Sequence, residues 1–336
     1  MVDKLLGSSP GIVNFGIFFG LAVLLLFVIL GFVTMAILAE RKVLGFMQGR
    51  YGPNYVGGKW GLLQSVADVL KLLVKEDLIP KAADRPLFII APVIAFAPSF
   101  TVMATIPLTD RLQFADLNIG ILYYVAISGL TIIGMLMAGW ASNNKYSLLG
   151  GMRAAAQMIS YEIPLVMSVL GVILLSGSLN LNQIVETQSN HGWFILWQPI
   201  AFIVFFIAAT AELNRVPFDL AEAENELVAG FHTEYSGFRW AMFMLAEYVY
   251  MFAMAALITL IFLGGWLPLP FLEFIPGAVW FSLKFSLVVF ILIWFRATFP
   301  RIRADQLMEF AWKVLLPIAL ANIFLTALIK EFLNVF

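Results

Sequence analysis

The chain has 336 residues, 62% of them hydrophobic and 12% charged, with a net charge of −1. Soluble domains run near half apolar and a quarter charged, so this composition points to an integral membrane protein and gives no bulk attraction to nucleic acid. The lack of cysteine excludes disulfides, iron–sulfur ligation and Cys-type zinc sites within the chain, and two histidines, His191 and His232, leave little for haem or zinc.

The first apolar run, 12–39, has 28 residues without a charge. That is too long for the core of a cleaved leader, so a retained transmembrane helix is expected. Gly16 and Gly20 form a small-xxx-small pair expected to pack against another helix. A long connection, Glu40 to Arg85, follows. It opens with Glu40, Arg41 and Lys42, then passes Gly45, Gly49, Gly52, Pro53, Gly57 and Gly58, an irregular loop without the spacing of a phosphate-binding motif. Next, GLLQSVADVLKLLVKED puts Gln64, Asp68, Lys71 and Lys75 on one helical face, with the leucines and valines mainly on the other. This predicts an amphipathic helix at the membrane interface, either a surface anchor or the wall of a chamber that an amphiphile enters from lipid.

Seven further runs are long enough to cross a bilayer: 87–108, 119–141, 159–176, 193–211, 238–263, 278–295 and 312–330. The expected fold is therefore an all-α integral membrane protein of about eight transmembrane helices plus the amphipathic helix, in one polytopic domain over 1–336. No internal repeat or low-complexity segment stands out.

Sixteen of the twenty Lys and Arg residues fall on the connections after spans 1, 3, 5 and 7 or on their flanks, leaving Lys4, Arg111, Lys284 and Lys330 elsewhere. The positive-inside rule puts those connections in the cytoplasm and both termini outside. Fifteen of the 21 acids share that face, so one elaborate face is expected rather than a pore lined with polar groups along its length.

Ionisable groups at membrane depth are functional candidates by default. Glu162 opens span 4, Glu212 closes span 5, and Glu247 lies well inside span 6. Between the last two, TAELNRVPFDLAEAENELVAGFHTEYSG carries Glu212, Asp219, Glu222, Glu224, Glu226 and Glu234 against Arg215 alone. Pro217 is expected to open a helix here, with Asp219 and Glu222 as a capping box and Asp219, Glu222 and Glu226 on one face opposite Glu224. Capping leaves Glu226, four residues from Glu222, unexplained. A proton relay and a calcium site are both open on these residues, although no EF-hand pattern is present. Finally, RATFPRIRADQLMEFAWK puts Arg296, Arg301 and Arg303 on the face of the acidic connection.

Five stretches, ERKVLGFMQGRYGPNYVG from Glu40, RAAAQMISYE from Arg153, AELNRVPFDLAEAENELVAGFHTEYSG from Ala211, AEY from Ala246 and RATFPRIRADQL from Arg296, occur in that order. They make the chain resemble the quinone-site membrane subunits of respiratory complex I, the proton-pumping NADH:quinone oxidoreductase of bacteria and mitochondria, over nearly its whole length. The resemblance implies a multi-pass subunit of the bacterial inner or plasma membrane, partnered by quinone-site peripheral-arm subunits, membrane-arm subunits and lipid. It implies a quinone substrate, ubiquinone or menaquinone, and no NADH, flavin, iron–sulfur cluster or metal held by this chain. By the same resemblance Glu40, Arg41, Asp68, Lys71, Arg296 and Arg301 line or support the quinone chamber. Glu162, Glu212 and Glu247 match a buried carboxylate path, and Asp219, Glu222, Glu224 and Glu226 the acidic loop joining chamber to path. No independent catalysis by the isolated chain is implied. Two rivals share the carboxylates: a stand-alone cation/proton antiporter, and the related membrane subunit of an energy-converting hydrogenase, which uses no quinone.

Overall fold

A computed structural model describes residues 12–109, 113–221, 224–269, 272 and 274–333, and among these every regular element is helical. The main helices are α1 (Ile12–Met47), α2 (Gln64–Val74), α3 (Arg85–Val102), α4 (Gly120–Ala141), α5 (Lys145–Ser176), α6 (Leu181–His191), α7 (Pro199–Glu212), α8 (Gly237–Phe262), α9 (Gly277–Thr298), α10 (Ala304–Phe310) and α11 (Leu316–Leu333). A π-helical turn, Ala311–Leu315, joins the last two into one long helix. Seven helices among the described residues are long and apolar enough to cross a membrane. The protein is an all-α, multi-pass membrane protein.

Burial ranks these helices. In α8, 83% of the most apolar window is buried, against 22% in α1. The centre of the molecule is therefore α8, around which α1, α2, α3 and α9 pack. A helix enclosed by others can be apolar all round, while α1 presents Phe15, Phe19 and Phe27 outward, as a lipid-facing or partner-facing helix would. At Gly16 and Gly20 nothing among the described residues comes within 4 Å of a built Cβ. Among the described residues no other helix packs closely on that pair.

Two spans differ from their predicted limits. The fourth helix starts at Lys145, not near 159, and ends at Gly177 in the left-handed conformation. The charges of its first half suggest a loop. Instead Asn144 caps it by accepting from the Tyr146 N–H at 2.9 Å, and Gly150 lets the chain at Gly230 approach so closely that a Cβ would lie 2.6 Å from the Gly230 Cα. The fifth span is broken at Gln198, just before Pro199, into a single turn, Phe194–Trp197, and α7. With 14 residues, α7 rises about 21 Å, short of a hydrocarbon core of roughly 30 Å. The break is anchored, because the buried Gln198 amide donates to the Gly171 carbonyl at 2.9 Å and the Thr326 hydroxyl at 3.0 Å, tying α5, α7 and α11 together.

The amphipathic helix is α2, lying beside α1 and α8. Its Ser65 hydroxyl donates to the Thr34 carbonyl at 3.0 Å. At its other end Gly237, with φ 55°, starts α8 against the Lys75 carbonyl.

Candidate functional site: a cavity over a buried ion network

A cavity of about 390 Å³ lies between the end of α1, the amphipathic α2, the first half of α8 and the segment after α7. Leu72 of α2 and Met244 of α8 supply apolar wall, while Glu40, Arg41, Asp68, Asp219, Glu247 and Arg296 supply charge. An apolar pocket with a few convergent polar groups is the usual form of a small-molecule site. A second cavity, about 520 Å³ between α7 and α9, has no charged side chain in its lining.

Glu40, only 4% exposed, is the hub. Its Oε2 accepts from Arg215 Nη1 at 2.7 Å and from the Tyr248 hydroxyl at 3.0 Å, and its Oε1 pairs with Arg296. Arg215 is equally buried, at 3%, and its Nη2 lies 2.9 Å from Glu247 Oε1. The guanidinium also stands over the Tyr248 ring, 4.7 Å from its centroid. Burial alone would loosen the proton on Arg215, but the Glu247 and Glu40 carboxylates outweigh it and hold the pKa above its ordinary value. Glu40, Arg215 and Glu247 thus share one largely buried pocket, which the partly exposed Arg296 reaches from its edge, and changing the charge on one member alters the balance of the others.

The pairs towards the rim are more exposed. Arg41 bonds Asp68 at 2.5 Å, joining α1 to α2, and Gln64 adds a bond to the same carboxylate at 3.1 Å. Arg301 bonds Asp219 at 2.8 Å. The structure therefore gathers Glu40, Arg41, Asp68 and Arg296 on one cavity and attaches Arg301 to it through Asp219. Lys71 is exposed and outside the lining. Arg296 pairs with Glu40 and lines the same cavity as Asp219 of the acidic connection.

The acidic connection is not the helix its spacing suggests. Residues 213–221 form turns and extended chain, and the only helix across 217–227 among the described residues is the single turn Glu224–Leu227. No helix opens at Leu220 or Ala221, directly after Asp219; Glu222, the other half of the expected capping box, lies outside the described residues. Contacts from elsewhere hold this backbone. The buried Gln157 amide donates to the carbonyls of Ala211 and Phe218, both at 2.7 Å, and to Asn214 Oδ1 at 3.1 Å. The Ile302 N–H donates to the Pro217 carbonyl at 3.1 Å. Glu226 leaves the loop to pair with Arg153 at 2.6 Å.

Behind the main cavity is a small one of about 30 Å³, lined by Thr131, Asn214, Glu212, Glu247 and Tyr250 among others. Glu247 borders both cavities. Glu212 in turn lies within electrostatic reach of Glu162 on α5. Glu247 is thus linked to Glu212 by the small cavity, and Glu212 to Glu162 by their electrostatic contact. Among the described residues no group of three or more His, Asp or Glu side chains converges as a metal site.

Two residues of the site are not singled out by sequence reasoning. Arg215 is visible as the one cation among six acids, and that imbalance is the available signal. Gln157 gives none, because an amide inside an apolar helix does not announce three tertiary bonds.

Ionisable side chains gathered around a cavity in an all-α multi-pass protein mark a candidate functional site. The chain matches the NADH dehydrogenase family over residues 20–327. It is 75% identical over 331 residues to the H subunit of NADH-quinone oxidoreductase from Bacillus thuringiensis and to that from Anoxybacillus flavithermus, covering 98% of this chain and 99% of each relative. The chain belongs to this family of complex I membrane subunits.

Proposed function

We propose that this protein is the membrane subunit of a proton-translocating NADH-quinone oxidoreductase that forms much of the quinone chamber and couples quinone reduction to proton movement. One observation carries the reading. Glu247 borders both the main cavity and the small cavity behind it, so one carboxylate links a ligand-sized space to the buried Glu212 and, through it, Glu162. In this reading the quinone ring reaches the 390 Å³ cavity from lipid, past α1, α2 and α8. Arg41, Asp68 and Arg296 set the polarity of its walls, with Lys71 on the same amphipathic helix and Arg301 fixing Asp219.

Electrons come from a neighbouring subunit. The chain itself holds no NADH, flavin or iron–sulfur cluster in this reading, and the quinone is ubiquinone or menaquinone. Reduction of the quinone draws protons towards the cavity, and the demand is relayed through Asp219, Glu222, Glu224 and Glu226 and through the Glu40–Arg215–Glu247 network to Glu212 and Glu162. Because Arg215 bridges Glu40 and Glu247, a change of charge on either one loosens its hold on the other.

The chain is one polytopic domain over 1–336 in this reading, in the bacterial inner or plasma membrane, with both termini outside and the long connections cytoplasmic. The connection after α1 exposes Tyr51, Tyr55 and Trp60, the kind of surface that a docked peripheral-arm subunit covers. Labelling the assembled complex with a photoreactive short-chain quinone tests the chamber. Adducts on α2 and the first half of α8, displaced by excess quinone, are expected. Adducts confined to other subunits, or to the groove between α7 and α9, would sink it.

A further inference from the structure

The carboxylate path has a hydroxyl lining that the sequence does not suggest. Tyr124, Ser128 and Thr131 recur on α4 at i, i+4 and i+7, which places them on one helix face. Tyr124 is 0% exposed, yet its hydroxyl has no hydrogen-bond partner among the described residues, and the buried Glu212 Oε2 has none either. Tyr250 of α8 is also buried. Its hydroxyl faces that of Thr131 without completing a hydrogen bond. Both tyrosines lie within electrostatic reach of Glu212. The hydroxyl of Ser128 also faces Glu212 and donates to the Val125 carbonyl at 3.0 Å. At the very next residue, a Cβ built on Gly129 would come 3.4 Å from Glu162 Oε1, so the same helix runs past both carboxylates.

Buried polar atoms are nearly always satisfied, and several left without partners around one point bracket a place for ordered water. The 30 Å³ cavity bounded by Glu212, Glu247, Thr131 and Tyr250 is large enough for about one or two water molecules. No hydrogen bond joins Glu212 Oε2 to Glu247 or to Glu162 among the described residues, so a proton moving between them needs an intermediate carrier.

We propose that Tyr124 and Tyr250 are proton-relay residues flanking Glu212, passing protons between the Glu247 side and the Glu162 side through water held by their hydroxyls. This deepens the coupling reading above and rests on it. Each hydroxyl accepts a proton on Oη as it releases its own, so neither tyrosine ionises and the net charge of the relay is unchanged. The ring packing of both residues is independent of this role, which makes Phe the informative replacement.

The test uses the whole complex reconstituted in liposomes, with Tyr124→Phe, Tyr250→Phe and Glu212→Gln measured side by side. Coupled proton translocation is expected to fall about three- to tenfold in each tyrosine variant, the scale of removing one hydrogen bond from a barrier. The solvent deuterium isotope effect on coupled turnover should change, while the KM for quinone and electron transfer to an artificial acceptor should not. A structural role would not move the isotope effect. Normal translocation and isotope effects in both tyrosine variants, with translocation lost in Glu212→Gln, would overturn the tyrosine relay and leave the carboxylate path standing. Normal translocation in Glu212→Gln would overturn both. If one tyrosine variant fails to assemble, the other decides.

Discussion

Two buried cations sit at opposite ends of α8 and are held in different ways. Arg215, near the first half of the helix, is neutralised by Glu40 and Glu247 and stacked on Tyr248. Lys284, 7% exposed, caps the far end. Its ammonium donates to the carbonyls of Leu263, Gly265 and Leu267 at 2.7, 3.1 and 2.7 Å and lies 4.2 Å from the centre of the Trp193 ring. Carbonyl dipoles have one state, whereas carboxylates gain and lose protons. Burial therefore gives Lys284 partners that do not titrate and Arg215 partners that do, and the charged cavity lies at the second.

The largest expected effect follows from removing the cation between the carboxylates. Arg215→Met leaves Glu40 and Glu247 without their shared cation in a largely buried pocket, a loss of roughly 3–5 kcal/mol. Little assembled complex should be recovered on blue-native gels. Normal assembly would mean that Arg296 alone neutralises the pocket. Lys284→Met should be milder and of another kind. It strips the charged partner from the carbonyls at the end of α8, lowering stability by about 2–3 kcal/mol, with the ratio of protons moved to electrons unchanged in the complex that survives. A changed ratio at normal thermal stability would remove the contrast between the two ends.

How far the sequence foretells this contrast depends on the physics involved. Seven of the eight hydrophobic runs fall on long helices, because lipid imposes a minimum length on any apolar stretch. The amphipathic α2 is readable from its period, and Glu247 from the rarity of charge at depth. The acidic connection reads as helical because spacing reports local preference, while Gln157 and the Ile302 N–H bind that backbone, and Arg301 the Asp219 side chain, from distant parts of the chain. Gln198, the short α7 and the hydroxyl face of α4 escape for the same reason, since each depends on what stands opposite it.

A third prediction concerns pH. His232, 7% exposed, has its pKa pushed by burial from 6.5 down to about 4. The folded state binds this proton less readily than the unfolded one, so the stabilisation is complete above about pH 6.5 and is lost as pH falls towards 4. Thermal inactivation at pH 5 should show a loss of about 2 kcal/mol relative to pH 7, and His232→Asn should flatten that dependence. An equally steep dependence in the variant would assign the acid sensitivity to other groups. The smallest effect belongs to the most exposed pair, Arg303 with Asp305 at 2.9 Å. Arg303→Ala should leave both thermal stability and quinone kinetics unchanged, as expected for a solvent-screened surface pair. A shift in the KM for quinone would bring this arginine into the site.

The most direct test of the coupling role is proton translocation by the reconstituted complex carrying Glu247→Gln, the carboxylate shared by both cavities. The expected result is loss of quinone-driven proton translocation, with electron transfer from NADH to an artificial acceptor preserved. Full translocation in that variant would contradict the path from cavity to buried carboxylates.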